Sequence, residues 1–115
     1  MRRVSLEERS AIERRARMYY ARVLTWGLAK DLVVGWATEI PGACAIAVPL
    51  PDEGDPPLLI ICEKKWISST KKEKTDTLLH ELAHLLAWHL FGPTSRQHGP
   101  EFRRARRMLD KAAGY

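Results

Sequence analysis

A single long helix in the second half of the chain places the strongest limit on the fold. Thr70 and Glu73 have the spacing of a capping box, and Gly92-Pro93 is a typical helix stop. Between Leu78 and Phe91, apolar residues occupy nearly every face of the predicted helix. Such a helix has to be buried on most sides. The sequence therefore predicts a domain built around a central helix from about Thr70 to Phe91.

Helical patterns also mark the two ends of the chain. Ser5 and Glu8 repeat the capping-box spacing, and apolar residues then recur at helical intervals, which predicts a first helix from about Ser5 to Trp26. Pro100 is a residue type favoured at the first position of a helix. The apolar stripe that follows it predicts a C-terminal helix.

Three short apolar runs lie between the first helix and the central helix. They cover residues 32–36, 43–48 and 58–62 and are separated by segments rich in turn-forming residues, which predicts three strands. Because the connections are too short for helical crossovers, we expect the strands to form an antiparallel sheet. The predicted fold class is α+β, with an N-terminal helix, a three-stranded antiparallel sheet, the central helix and a C-terminal helix. We expect one domain over residues 1–115.

The central helix contains the sequence HELAH at 80–84, an instance of the HExxH pattern. Residues four apart on a helix lie on one face, so His80 and His84 point the same way and can bind one zinc ion. Glu81 is placed to take a proton from a water molecule on that metal without being a ligand itself. The competing interpretation is a pair of core histidines that are hydrogen-bonded to the backbone. The apolar surroundings weigh against it, because unpaired polar groups there would be costly.

A catalytic zinc ion needs a third protein ligand. His89 is nine positions after His80, which puts it on the opposite side of the helix, so we interpret it as a structural residue. His98 follows the helix stop, and Gly99 allows the chain to turn sharply beside it. We predict His98 as the third ligand, with Glu101 as its rival.

The HExxH pattern followed at this distance by HGPEF at 98–102 resembles the SprT-like zinc metalloproteases, the group that includes Spartan. The resemblance covers roughly residues 58–109 and, more weakly, the preceding helix and strands. It implies a compact peptidase core that holds one zinc ion (Zn²⁺) per chain through His80, His84 and His98, with Glu81 as the general base. The protein would hydrolyse peptide bonds in a protein or peptide substrate that binds in an extended form at an edge strand.

Spartan-like relatives cleave proteins that are bound or crosslinked to DNA, and many carry a cysteine zinc ribbon after the catalytic core. This sequence has no such cysteines, so it resembles a minimal version of the domain. The residue that stabilises the oxyanion stays open. The candidates are Tyr19, Tyr20, Arg96 and Tyr115.

The charge balance favours an anionic partner. The chain has 19 Lys and Arg residues against 14 Asp and Glu, a formal net charge of +5. The arginines of the C-terminal helix have two possible interpretations, contact with DNA phosphates or an ordinary solvated face. They are Arg103, Arg104, Arg106 and Arg107.

The sequence also limits where we expect the protein to work. Its two cysteines, Cys44 and Cys62, are too few for a disulfide framework and indicate free thiols in a reducing compartment. The N-terminal residues show no apolar signal segment, and no stretch is long enough to span a membrane. We therefore expect a cytoplasmic protein that does not engage a membrane.

Two other functions fit the same residues. The chain could be a peptidase of another type, a minigluzincin with Glu101 as a ligand or a WLM-type protease. It could also be a non-catalytic, basic DNA-binding module in which zinc only stabilises the fold.

Overall fold

The computed structural model describes residues 3–23, 32–48, 56–92 and 98–114. Over these residues the chain forms, in order, α1 (Leu6–Val23), β1 (Val33–Ala37), β2 (Ala45–Val48), β3 (Leu58–Cys62), α2 (Glu63–Ser68), α3 (Lys71–Phe91) and α4 (Pro100–Ala113). The α+β class is confirmed, with an N-terminal helix, one sheet, a central helix and a C-terminal helix. Among these helices none combines the length and the hydropathy of a membrane span.

The sheet corrects the prediction of a purely antiparallel arrangement. Its strand order is β1-β3-β2, so the last strand in sequence lies in the middle. β3 pairs with β2 in the antiparallel sense and with β1 in the parallel sense. The prediction considered only connections between consecutive strands. The parallel strands β1 and β3 are instead separated by residues 38–57. This segment includes β2 and is long enough to return the chain to the end of the sheet at which β1 begins.

The short helix α2 was not predicted. It begins directly after β3, and its N-cap residue, Cys62, makes no capping hydrogen bond with its side chain. The sequence therefore shows neither a typical cap residue nor a helical period long enough to recognise. The first residue of α2, Glu63, is buried and accepts hydrogen bonds from the Val4 backbone N–H at 3.0 Å and from Arg9 Nη2 at 2.6 Å. α2 therefore ties the N-terminal segment and α1 to the end of the sheet.

The central helix α3 has the predicted environment. The capping box is complete, because Thr70 Oγ1 accepts from the Glu73 N–H and the Glu73 side chain accepts from the Thr70 N–H. The helix ends at Gly92, whose φ of 88° is a conformation that side chains disfavour. α3 packs against α1, α4 and β2. Its fully buried side chains form the middle of the core: Leu78, Leu79, Leu82, Leu85 and Leu86.

The two outer helices cover α3 with their apolar stripes. α1 begins as predicted, with the Glu8 N–H donating to Ser5 Oγ at 3.1 Å, and it buries Ala16 and Tyr20. The predicted end of this helix near Trp26 lies outside the described residues. α4 buries Phe102, Ala105 and Leu109.

Candidate metal centre

Two imidazoles of the site are held by the backbone of α3. His80 and His84 lie one turn apart, with their ring centroids separated by 5.0 Å. Between them, Leu82 and Ala83 are completely buried and fix the rotation of the helix, whereas both histidines remain partly accessible. The helix therefore presents the two rings together at the boundary between the core and solvent.

The third imidazole comes from the turn that precedes α4. His98 is exposed and lies directly before Gly99, the N-cap of α4. Its Nε2 atom lies 3.3 Å from His80 Nε2, and its ring centroid lies 4.9 Å from that of His84. The ligand atoms of His80, His84 and His98 all lie within 4.8 Å of one another. These three residues could therefore hold a metal ion.

The separation of one pair of nitrogens is that expected in a tetrahedral zinc site. Two nitrogens bound at 2.0–2.1 Å in tetrahedral geometry are separated by about 3.3 Å. The Nε2 atoms of His80 and His98 have this separation. Three imidazoles also form a donor set that zinc takes in hydrolytic enzymes, where a fourth position stays open to water or substrate.

The surroundings keep the helical imidazoles in the form that binds metals. Burial, and then the nearby His80 and His98 rings, lower the pKa of His84 to about 4. Burial is also the main reason why the pKa of His80 is lowered. Both rings are therefore neutral at pH 7, with a lone pair available on the ligating nitrogen.

Glu81 lies between the two helical histidines in sequence and is directed toward β2. Burial raises the pKa of Glu81 to about 7, and a hydrogen bond from the backbone N–H of Ala47 opposes this shift. The Cys62 N–H donates to the Cys44 carbonyl at 2.9 Å. Because alternate residues of an antiparallel edge strand face its partner, the backbone N–H and C=O groups of Ala45 and Ala47 point away from β3. Glu81 is thus bound by the free edge of the sheet.

Comparison with known families decides where this site belongs. The family model of the SprT-like family matches residues 14–115. The chain is a member of the SprT-like family. This confirms the resemblance that the two motifs predicted, and the match includes the second half of α1 and the whole sheet, where the resemblance was weaker. No curated protein and no solved structure shows a significant match to the chain.

Membership in the SprT-like family supports a metallopeptidase-type domain, and the histidine cluster is consistent with it. Glu101, the rival ligand, is in the first turn of α4 and is not part of the cluster. His89 is exposed in the last turn of α3, away from the cluster, as its position in sequence predicted.

The four arginines on the C-terminal helix of this SprT-like domain fall into two groups. Arg103, Arg104 and Arg107 are exposed. Arg106 is largely covered and donates to the carboxylates of Asp76 at 2.7 Å and Asp110 at 2.8 Å. The intramolecular ion pairs compensate the charge of Arg106, so the exposed positive charge of α4 comes from the other three arginines and from Lys111 in the last turn.

The oxyanion stabiliser of the SprT-like site stays unassigned. Tyr19 is buried, and its hydroxyl accepts a hydrogen bond from Arg15 Nε at 2.8 Å. Tyr20 is buried in the core, where desolvation raises its pKa. Arg96 and Tyr115 lie outside the described residues.

One contact of the site had no sequence signal. The Ala47 backbone N–H bonds to Glu81, and every residue except proline carries such a donor. Only the strand order, which places β2 at the edge beside α3, reveals it.

Proposed function

We propose that this chain is a zinc-dependent metalloendopeptidase in which His80, His84 and His98 hold one zinc ion and Glu81 is the general base. The convergence of three imidazoles beside a half-buried carboxylate carries the proposal. Two of the imidazoles are uncharged at neutral pH because of their burial. The carboxylate lies on the same helix but outside the donor set, which separates the proton acceptor from the ligands.

Bound zinc supplies Lewis acidity, which acidifies water and polarises a carbonyl group. Glu81 takes the proton from the attacking water and delivers it to the leaving amine. Both transfers are possible near neutral pH because burial raises the Glu81 pKa to about 7, close to the working pH. The Ala47 N–H keeps this carboxylate beside the sheet edge.

The substrate peptide would bind in an extended form along β2. β2 is one of the two edge strands, and it is the edge strand that packs against α3. The Ala45 backbone and the Ala47 carbonyl point away from β3 and can pair with an added strand. A peptide in this position passes next to Glu81, which favours cleavage within a chain over removal of a terminal residue.

The test compares two variants that remove one carboxylate each. Glu81→Gln should retain zinc, measured by elemental analysis, and lose cleavage of a quenched fluorescent peptide library, because the amide cannot accept the proton. Glu101→Gln removes the same charge from the first turn of α4 and should retain both zinc and cleavage. Loss of zinc in Glu101→Gln would instead support a minigluzincin site.

A second candidate function is a basic DNA-binding module with a structural zinc ion, and the exposed arginines of α4 favour it. In that case Glu81→Gln would change nothing measurable. The two functions can also coexist. We propose that Arg103, Arg104 and Arg107 bring the peptidase to proteins associated with DNA, since α4 begins two residues after His98.

A further inference from the structure

One aromatic ring contacts all three histidines of the cluster. The centroid of the Phe102 ring lies 4.5 Å from that of His84, 5.0 Å from that of His98 and 5.1 Å from that of His80. Phe102 is 8% exposed, so its ring is part of the core as well as of the site. Four rings from two segments of the chain therefore form one compact cluster.

The three histidines differ in how the fold holds them. His80 and His84 share the hydrogen-bond ladder of α3, which is buried on both sides of them. His98 is exposed and precedes the first turn of α4, where the Arg103 N–H donates to the Gly99 carbonyl at 3.1 Å. The orientation of the His98 imidazole therefore depends on side-chain packing. Phe102, in the first turn of α4, supplies that packing.

We propose that Phe102 is a positioning residue for the metal site, and that it acts mainly by fixing the orientation of the His98 imidazole toward His80 and His84. The proposal rests on the proposed zinc site. A ring that contacts all three imidazoles restricts their rotation before the metal binds, so less conformational freedom is lost on binding. Ala105 and Leu109 continue the buried stripe of α4 and serve the core.

The first experiment measures metal affinity in the full chain by competition with a chromophoric chelator. Phe102→Leu keeps an apolar side chain and removes the ring. Its Kd for Zn²⁺ should rise about 10-fold, the lower end of the effect of removing groups that orient metal ligands. Leu109→Val removes one methylene from the same buried stripe and should leave the Kd unchanged. Phe102→Met, whose unbranched and flexible side chain fills irregular space, provides a second test if Phe102→Leu fails to fold.

The second experiment asks whether the effect passes through His98. Zn²⁺ affinity is measured for Phe102→Leu, for His98→Ala and for the double variant. If Phe102 acts through His98, the loss caused by Phe102→Leu should largely disappear in the His98→Ala background. Full additivity would overturn this inference. Co²⁺ provides a spectroscopic readout, because the visible absorption of the bound ion should change in Phe102→Leu and not in Leu109→Val.

The outcomes separate this inference from the proposed function. If the wild-type chain binds no Zn²⁺, or if His98→Ala binds it as tightly as wild type, the proposed metal site is wrong. If the wild type binds Zn²⁺ through the three histidines and Phe102→Leu binds it equally well with an unchanged Co²⁺ spectrum, only the positioning role of Phe102 is wrong.

Discussion

The arginines of α4 provide a test in which neighbouring residues of the same type should behave differently. Arg106→Gln should lower stability and leave DNA affinity nearly unchanged, because its guanidinium is bound to Asp76 and Asp110. The triple variant Arg103→Gln, Arg104→Gln, Arg107→Gln should do the reverse, because these side chains are exposed.

The structure sets the size of both effects. The Arg106–Asp110 pair has the i,i+4 spacing on one helix, which contributes about 0.2–0.5 kcal/mol. The Asp76 side chain is 57% exposed, so its pair with Arg106 contributes about 0.2–1 kcal/mol. Arg106→Gln should therefore cost about 1 kcal/mol and lower the Tm by about 4 °C. If all three exposed arginines contact phosphates of duplex DNA, their removal should reduce the salt slope of binding by up to about 2.7.

The assay is DNA binding by fluorescence anisotropy over a series of salt concentrations, together with thermal unfolding followed by circular dichroism. A triple variant with unchanged DNA affinity and salt slope would refute the prediction that these three exposed arginines contact DNA. An Arg106→Gln variant that loses as much affinity as a single variant of Arg103 or Arg107 would refute the argument that its ion pairs withdraw it from the surface.

Three further predictions concern stability. The Arg9 hydrogen bond, the Val4 N–H and nearby arginines hold the Glu63 pKa below its ordinary value of 4.5, so its contribution is complete above that pH and is lost as the pH falls. Between about pH 5 and pH 3 the free energy of unfolding should therefore fall less steeply in Glu63→Gln than in the wild type. Parallel pH curves for the two proteins would contradict this. Thr70→Ala removes the capping hydrogen bond and should cost about 1 kcal/mol in urea unfolding, with no change in the m-value. Zn²⁺ at 100 times its Kd should stabilise the wild type by about 2.7 kcal/mol and His98→Ala much less; equal stabilisation would place the bound ion elsewhere.

The features that the sequence predicted correctly depend on local patterns. The capping box at Thr70 and the apolar stretch that follows it involve only residues close in sequence, and they predict the position of α3. The geometry of the HExxH pattern follows from the helix alone. The proximity of His98 to the other two histidines was predicted from its position after the helix stop and from the turn at Gly99, and the structure brings these side chains together.

Two features were not predictable because they depend on distant pairing. An apolar strand such as β3 can pair in the parallel or the antiparallel sense, and with β1 or β2. The mixed strand order could therefore not be predicted from the apolar runs. The bond between Ala47 and Glu81 follows from that order. α2 was missed for a different reason, since six residues are too few to show a helical period.

The central position of β3 has a consequence for how the protein is made on the ribosome. β1 and β2 emerge first, and neither pairs with the other in the finished sheet. Both must wait until residues 58–62 leave the exit tunnel, and during that interval their unpaired edges can associate with other chains. The strand that lies beside Glu81 thus reaches its place only after β3 has emerged, shortly before α3, the helix that carries Glu81.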